Sequence, residues 1–116
     1  MEGMTKTASG LQYKMLRDGA GESPKAADTV EVHYKGTLAD GTEFDSSYTR
    51  RETIKFPLKG VIPGWTEGLQ LMKPGSKFVF EIPPKLAYGP NGIPGAIPPN
   101  ATLTFEVELI SVVKAR

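Results

Sequence analysis

Only one segment of this 116-residue chain carries a helical stripe: Ile62, Trp65, Leu69 and Met72 recur at offsets of three, seven and ten. Pro63 suits its first turn, where a missing N–H is not needed, and Pro74-Gly75 closes it. Every other periodic stretch alternates. Leu11, Tyr13 and Met15 oppose Gln12 and Lys14, and Val30, Val32 and Tyr34 oppose Glu31, His33 and Lys35. Asp40-Gly41 then marks a turn, with Asp40–Glu43 as the hairpin connection. Phe44 opens a strand that the polar stretch from Ser46 to Thr53 interrupts before Ile54, Phe56 and Leu58 resume it. Ser76–Ile82 and the run Leu103, Phe105, Val107, Leu109 complete the set. One short helix cannot cover two sheet faces. The chain is therefore expected to curl the apolar face of one antiparallel sheet of four or five strands around that helix, an α+β fold.

Between Pro83 and Pro99 no period survives, and six of the ten prolines fall there with three glycines. Long structureless loops inside small domains are usually functional or disordered. Leu86, Tyr88, Ile93 and Ile97 supply apolar anchors at intervals, so an ordered flap over a pocket is expected. The chain is too short for a second core. Residues 1–8 (MEGMTKTA) read as a tail or linker remnant, and 9–116 as the folded domain.

The available chemistry is narrow. There is no cysteine and a single histidine, so thiol nucleophiles, disulfides and Cys/His metal sites are excluded, and no acidic run has calcium-loop spacing. No metal and no cofactor are expected. His33 falls on the polar face beside Glu31 and Lys35 and reads as a solvated surface residue rather than a triad member; no G-x-S-x-G elbow accompanies it. Gly89, Gly92 and Gly95 lack the lysine and the strand-to-helix junction of a phosphate loop. Net charge is +1 and no basic run exceeds Arg50-Arg51, which argues against nucleic acid as a partner. No window approaches the roughly 18 apolar residues of a membrane span, and no basic start precedes an apolar segment. The chain as given is thus expected to be soluble, with no membrane partner and no export signal.

Over residues 10–113 the motifs resemble the FK-binding protein (FKBP) family. The strings are VHYKGTL (32–38), DGTEFDSS (40–47), VIPGWTEGLQLMKPGSK (61–77), AYG (87–89) and IPPNATLTFEVEL (97–109). The resemblance implies a five- to six-stranded antiparallel sheet wrapped on one short helix, and peptidyl-prolyl cis/trans isomerase activity. It implies a pocket floored by Trp65, with walls from Tyr34, Phe44, Phe56, Val61, Ile62, Tyr88, Ile97 and Phe105. Asp45 is expected to bond Tyr34 and a basic partner, Arg50. Within this set Tyr34, Asp45, Ile62, Trp65 and Tyr88 are the expected catalytic group, and Phe44, Arg50, Ile54, Phe56, Val61, Ile97 and Phe105 the substrate- and macrolide-binding group.

The implied partners are proline-containing peptides, unfolded proteins and the macrolides tacrolimus and rapamycin. A proline-segment-binding chaperone with incidental isomerase activity is the rival. Ile54 stands where an aromatic is common, Lys59-Gly60 shortens the approach to Val61, and Ile93 takes a flap-tip position often held by His. The ASGLQYKMLRDGAG stretch is most similar to the catalytic domains of bacterial macrophage-infectivity-potentiator-type proteins. That similarity implies a fragment, monomeric as given, of a dimeric parent with a helical N-terminal region. It leaves the location open between the cell envelope, for an exported parent, and the cytoplasm, for a complete chain.

Overall fold

The computed structural model describes residues 3–115, so Met1 and Glu2 of the polar start lie outside the described residues. In chain order the strands and helices are β1 Thr5–Lys6, β2 Gln12–Arg17, β3 Thr29–Leu38, β4 Glu43–Ser46, α1 Ser47–Arg50, β5 Ile54–Pro57, α2 Pro63–Leu69, β6 Lys77–Ile82 and β7 Leu103–Val113. All seven strands join one antiparallel sheet in the order β1-β2-β6-β7-β3-β4, with β5 also paired to β3. The expected α+β fold is present. The strand beyond the expected count is β1, which adds Thr5 and Lys6 opposite Tyr13 and Gln12.

Local chemistry explains where elements turn. The Asp40 carboxylate accepts the Thr42 N–H at 2.8 Å, Gly41 takes φ 90°, and Leu38 N–H closes on Thr42 O at 2.8 Å. The polar stretch between β4 and β5 forms α1 rather than a plain interruption. Ser46 caps it, accepting Thr49 N–H, because a serine hydroxyl can satisfy one of the orphan donors of a first turn. β4 and β5 therefore share one edge of β3: β4 pairs from Lys35 to Thr37, β5 from Thr29 to Val32.

Helix α2 ends at Leu69, short of the end of the stripe. Met72 still turns inward and is fully buried, because Leu71 and Met72 continue as i→i−3 turns onto Gly68 and Leu69. The sheet-facing side of α2 is made partly of glycine. A Cβ at Gly64 would lie 2.6 Å from Ile82 Cγ2, and one at Gly68 would lie 2.7 Å from Phe80 Cε1. This close approach presses α2 onto β6, and Leu11, Val30, Val32, Leu69, Phe80 and Leu109 close the core around it with no exposed surface.

Of the four apolar anchors expected in the 83–99 segment, Ile97 is buried and Leu86 packs on the core, whereas Tyr88 and Ile93 are exposed; hydrogen bonds fold the segment back on itself. Ile93 and Ile97 exchange hydrogen bonds at 2.8 Å, and Asn100 N–H ties the loop back to Gly89 O at 2.9 Å.

Candidate active site

Trp65 enters the first turn of α2 pointing at the sheet. Its indole is 4% exposed and meets three rings edge-on: Tyr34 of β3 at 5.2 Å and 81°, Phe56 of β5 at 5.4 Å and 86°, and Phe105 of β7 at 5.2 Å and 85°. Edge-to-face packing at these separations is the favoured arrangement of aromatic quadrupoles. Above the indole opens a cavity of about 490 Å³. Phe44, Asp45, Gly60, Val61, Ile62 and Tyr88 complete its lining with Trp65 and the three rings.

Each wall residue has a local reason for its position. Alternation puts Tyr34 and Gly36 on the same face of β3. Gly36 bears no side chain, and the rings of Phe44 and Phe105 fill that space, 5.4 Å apart and perpendicular. Ile62 precedes Pro63 in extended backbone, φ −59° and ψ 149°. Its carbonyl accepts the first helical N–H groups, from Trp65 at 2.9 Å and Thr66 at 3.1 Å. Its own N–H has no backbone acceptor among the described residues. Tyr88, also in the lining, is 38% exposed and stands at the rim.

Among the described residues one charged group, Asp45, reaches the lining. The Tyr34 hydroxyl donates to Asp45 Oδ2, while Arg50 gives Nη1 to Asp45 Oδ1 at 2.5 Å and Nη2 to the Tyr34 oxygen at 3.2 Å. Burial pushes the Asp45 carboxyl up, but the hydrogen bonds from Tyr34 and Arg50 and the guanidinium charge outweigh it and hold the group below the usual carboxylate range. Burial, reinforced by Asp45, raises the Tyr34 phenol. Both groups are thereby kept in one protonation state at neutral pH: a carboxylate and a phenol. The trio braces the wall and offers no proton to transfer.

Three anticipated site residues are not among those that line the cavity. Arg50 lies behind Asp45 with its guanidinium 5.9 Å from the Tyr34 ring centre. Ile54 is opposite Val32 and packs on the core. Ile97 is buried in the core, its backbone spent on Ile93. Gly60 lines the cavity without having been anticipated, since nothing in its neighbourhood distinguishes it from a turn glycine. His33 is not simply solvated: its Nδ1 lies 2.9 Å from Ser47 Oγ, and its ring stacks on Tyr48 at 4.7 Å, because α1 folds over that part of β3. Trp65 Nε1 is the one buried side-chain polar atom among the described residues without a hydrogen-bond partner. Such an orphan costs about 1–3 kcal/mol. Among the described residues no three His, Asp or Glu side chains stand together as a metal site would require.

A family model for FKBP-type peptidyl-prolyl cis-trans isomerases matches residues 20–110. The chain belongs to the FKBP family. This FKBP domain is 59% identical over 113 residues to the FKBP-type isomerase FkpA of Aeromonas hydrophila, covering 97% of the chain and 42% of that protein. It is 54% identical over 112 residues to the isomerase Mip of Coxiella burnetii, covering 97% of the chain and 49% of that protein. The crystal structure of FkpA from Escherichia coli superposes with a TM-score of 0.95 at 55% identity, over 100% of this chain and 54% of that one. A peptidyl-prolyl cis-trans isomerase from Pseudomonas syringae gives 0.92 at 40% identity, over 98% and 84%. The expected kinship with macrophage-infectivity-potentiator-type proteins therefore stands. The FKBP domain spans about half the length of the curated relatives it matches.

Proposed function

We propose that the chain is a peptidyl-prolyl cis/trans isomerase acting on X–Pro bonds of peptides and folding proteins, with the Trp65 cavity as its active site. The observation that carries this reading is the open cup above the indole, walled by three perpendicular rings. Rotation about an X–Pro bond crosses a barrier of about 18–20 kcal/mol because amide resonance is lost, yet no bond to hydrogen is broken. The reaction asks for no acid, base or metal. A planar amide is strongly dipolar. Twisting returns the lone pair to nitrogen and shrinks that dipole, so an apolar, water-poor cavity favours the twisted state over the planar one relative to water. That preference is specific to the transition state and therefore accelerates the reaction.

The proline ring rests on Trp65 between Tyr34, Phe56 and Phe105. The Ile62 N–H donates to one substrate carbonyl and the Tyr88 hydroxyl to another. Asp45, bonded to Tyr34 and Arg50, orients the wall and abstracts nothing. The same cavity takes the proline-like ring of tacrolimus or rapamycin.

The test is refolding of a protein limited by a prolyl isomerisation. The chain is expected to accelerate it when far below one equivalent, and rapamycin to abolish the acceleration. An effect that appears only near one equivalent, through suppressed aggregation, marks a holding chaperone and overturns the isomerase reading.

A further inference from the structure

The four-residue helix α1 grips Tyr34 from both ends. Arg50, at its last position, bonds the Tyr34 hydroxyl at 3.2 Å. Ser47, at its first, holds the Tyr34 backbone. The Tyr34 N–H points to the edge of β3 where β4 has stopped pairing and β5 has not begun, and there it donates to Ser47 Oγ at 2.7 Å. The same oxygen lies 3.3 Å from Tyr34 O and 2.9 Å from His33 Nδ1. Ser47 is fully buried. Its one hydroxyl proton thus has two acceptors to choose between, His33 Nδ1 and the Tyr34 carbonyl.

The choice depends on the imidazole. With Nδ1 unprotonated, Ser47 donates to it. In imidazolium both ring nitrogens carry protons, so Nδ1–H donates to Ser47 Oγ and the hydroxyl proton swings to the Tyr34 carbonyl. Both arrangements use contacts already within reach. We propose that Ser47 is a positioning residue of the isomerase, its buried hydroxyl passing the protonation state of His33 on the outer face of the sheet to the backbone of the pocket residue Tyr34. The catalytic half of this proposal rests on the isomerase reading of the cavity.

The charged surroundings of the imidazole are fixed by their own partners. Tyr48 stacks on it and donates its hydroxyl to Glu108 at 3.2 Å. Glu108, directly opposite His33 on β7, is also bonded by Arg17 at 2.7 Å. Along β3, Glu31 is held by Thr53 and Ser111, and Lys35 lies opposite Glu106, which Lys77 bonds at 2.8 Å. Lys77 also lies over the Tyr48 ring at 5.8 Å. The carboxylates beside His33 thus have partners of their own, whichever protonation state the imidazole takes.

The experiment follows the Tyr34 amide by NMR from about pH 5 to 8, the range in which histidine side chains in general change charge, in the wild-type chain, Ser47→Ala, Ser47→Thr and His33→Asn. The wild-type Tyr34 amide is expected to shift with the same midpoint as the His33 ring. Ser47→Ala is expected to lose that shift and to lower kcat/KM about tenfold, whereas Ser47→Thr, which keeps the hydroxyl, retains both. Should Ser47→Ala not fold, His33→Asn makes the same test, with the Tyr34 amide expected to be flat. A wild-type Tyr34 amide indifferent to the His33 titration overturns the proposal, as does a folded Ser47→Ala with undiminished kcat/KM. A wild-type chain that turns over no prolyl peptide defeats the isomerase reading but leaves the Tyr34 titration standing, so the two failures are distinguishable.

Discussion

A methyl group on Gly36 would lie 2.5 Å from the ring of Phe44 and 2.8 Å from that of Phe105. The wall between these two rings exists because β3 has no side chain there. Gly36→Ala is expected to splay both rings, costing about 1–3 kcal/mol of stability as an overpacked site does. It should lower kcat/KM by more than tenfold while the fold, read by far-UV circular dichroism, persists. Unchanged kinetics would show that the upper wall is not used.

Trp65 supports three rings at once, so its removal touches stability as well as catalysis. Trp65→Ala is expected to cost about 3–5 kcal/mol and to abolish measurable turnover. Tyr88, standing at the rim, carries no such load: Tyr88→Phe should leave the melting temperature within a degree or two and slow isomerisation severalfold. Chemical denaturation beside peptide kinetics separates the two.

Tyr34→Phe deletes the hydroxyl shared by Asp45 and Arg50. The loss of one such hydrogen bond is worth about 0.5–1.5 kcal/mol, and kcat/KM is expected to fall severalfold as the wall loosens. Equal kcat/KM for Tyr34→Phe and wild type would remove the bracing role from the trio.

Acid stability should report on Asp28. Its buried carboxylate accepts the N–H groups of Lys25 and Ala115, each at 2.8 Å, with Lys114 at 3.6 Å, and these hold its carboxyl below the ordinary value. A depressed folded value means the stabilisation is complete above the unfolded value of about 3.9 and is lost as pH falls through the folded one. Asp28→Asn is expected to destabilise the chain at pH 7 and to flatten the fall in melting temperature below about pH 4. A wild-type slope retained in Asp28→Asn would assign the acid transition elsewhere.

The residue before proline should be apolar. Among the described residues Asp45 is the only charge at the lining, and Arg50 already neutralises it. Placing a glutamate against the cavity costs desolvation with no compensating partner. Tetrapeptides differing only there should show Leu-Pro ahead of Glu-Pro by about tenfold or more in kcat/KM; equal rates count against this cavity as the reacting site.

Much of this was legible along the chain. Alternation placed Tyr34, Phe56 and Phe105 on inward faces, the helical stripe placed Trp65 beneath them, and one helix among many strands dictated an α+β sheet. Periodicity shows which side of an element faces the interior because side-chain direction is a local property of the backbone. It does not show what stands across the gap. That Ile54 packs on the core while Phe56, two residues on, reaches the cavity follows from where β5 meets β3. His33 reads as solvated until α1 covers it, and Gly36 as an ordinary strand glycine until two rings from distant strands converge on it. The sequence alone determined the elements, their inward faces and the aromatic character of the site. Only the tertiary structure decided which of those faces enclose a cavity and which fill solid core, because sheet register and twist set distances between residues far apart in the chain.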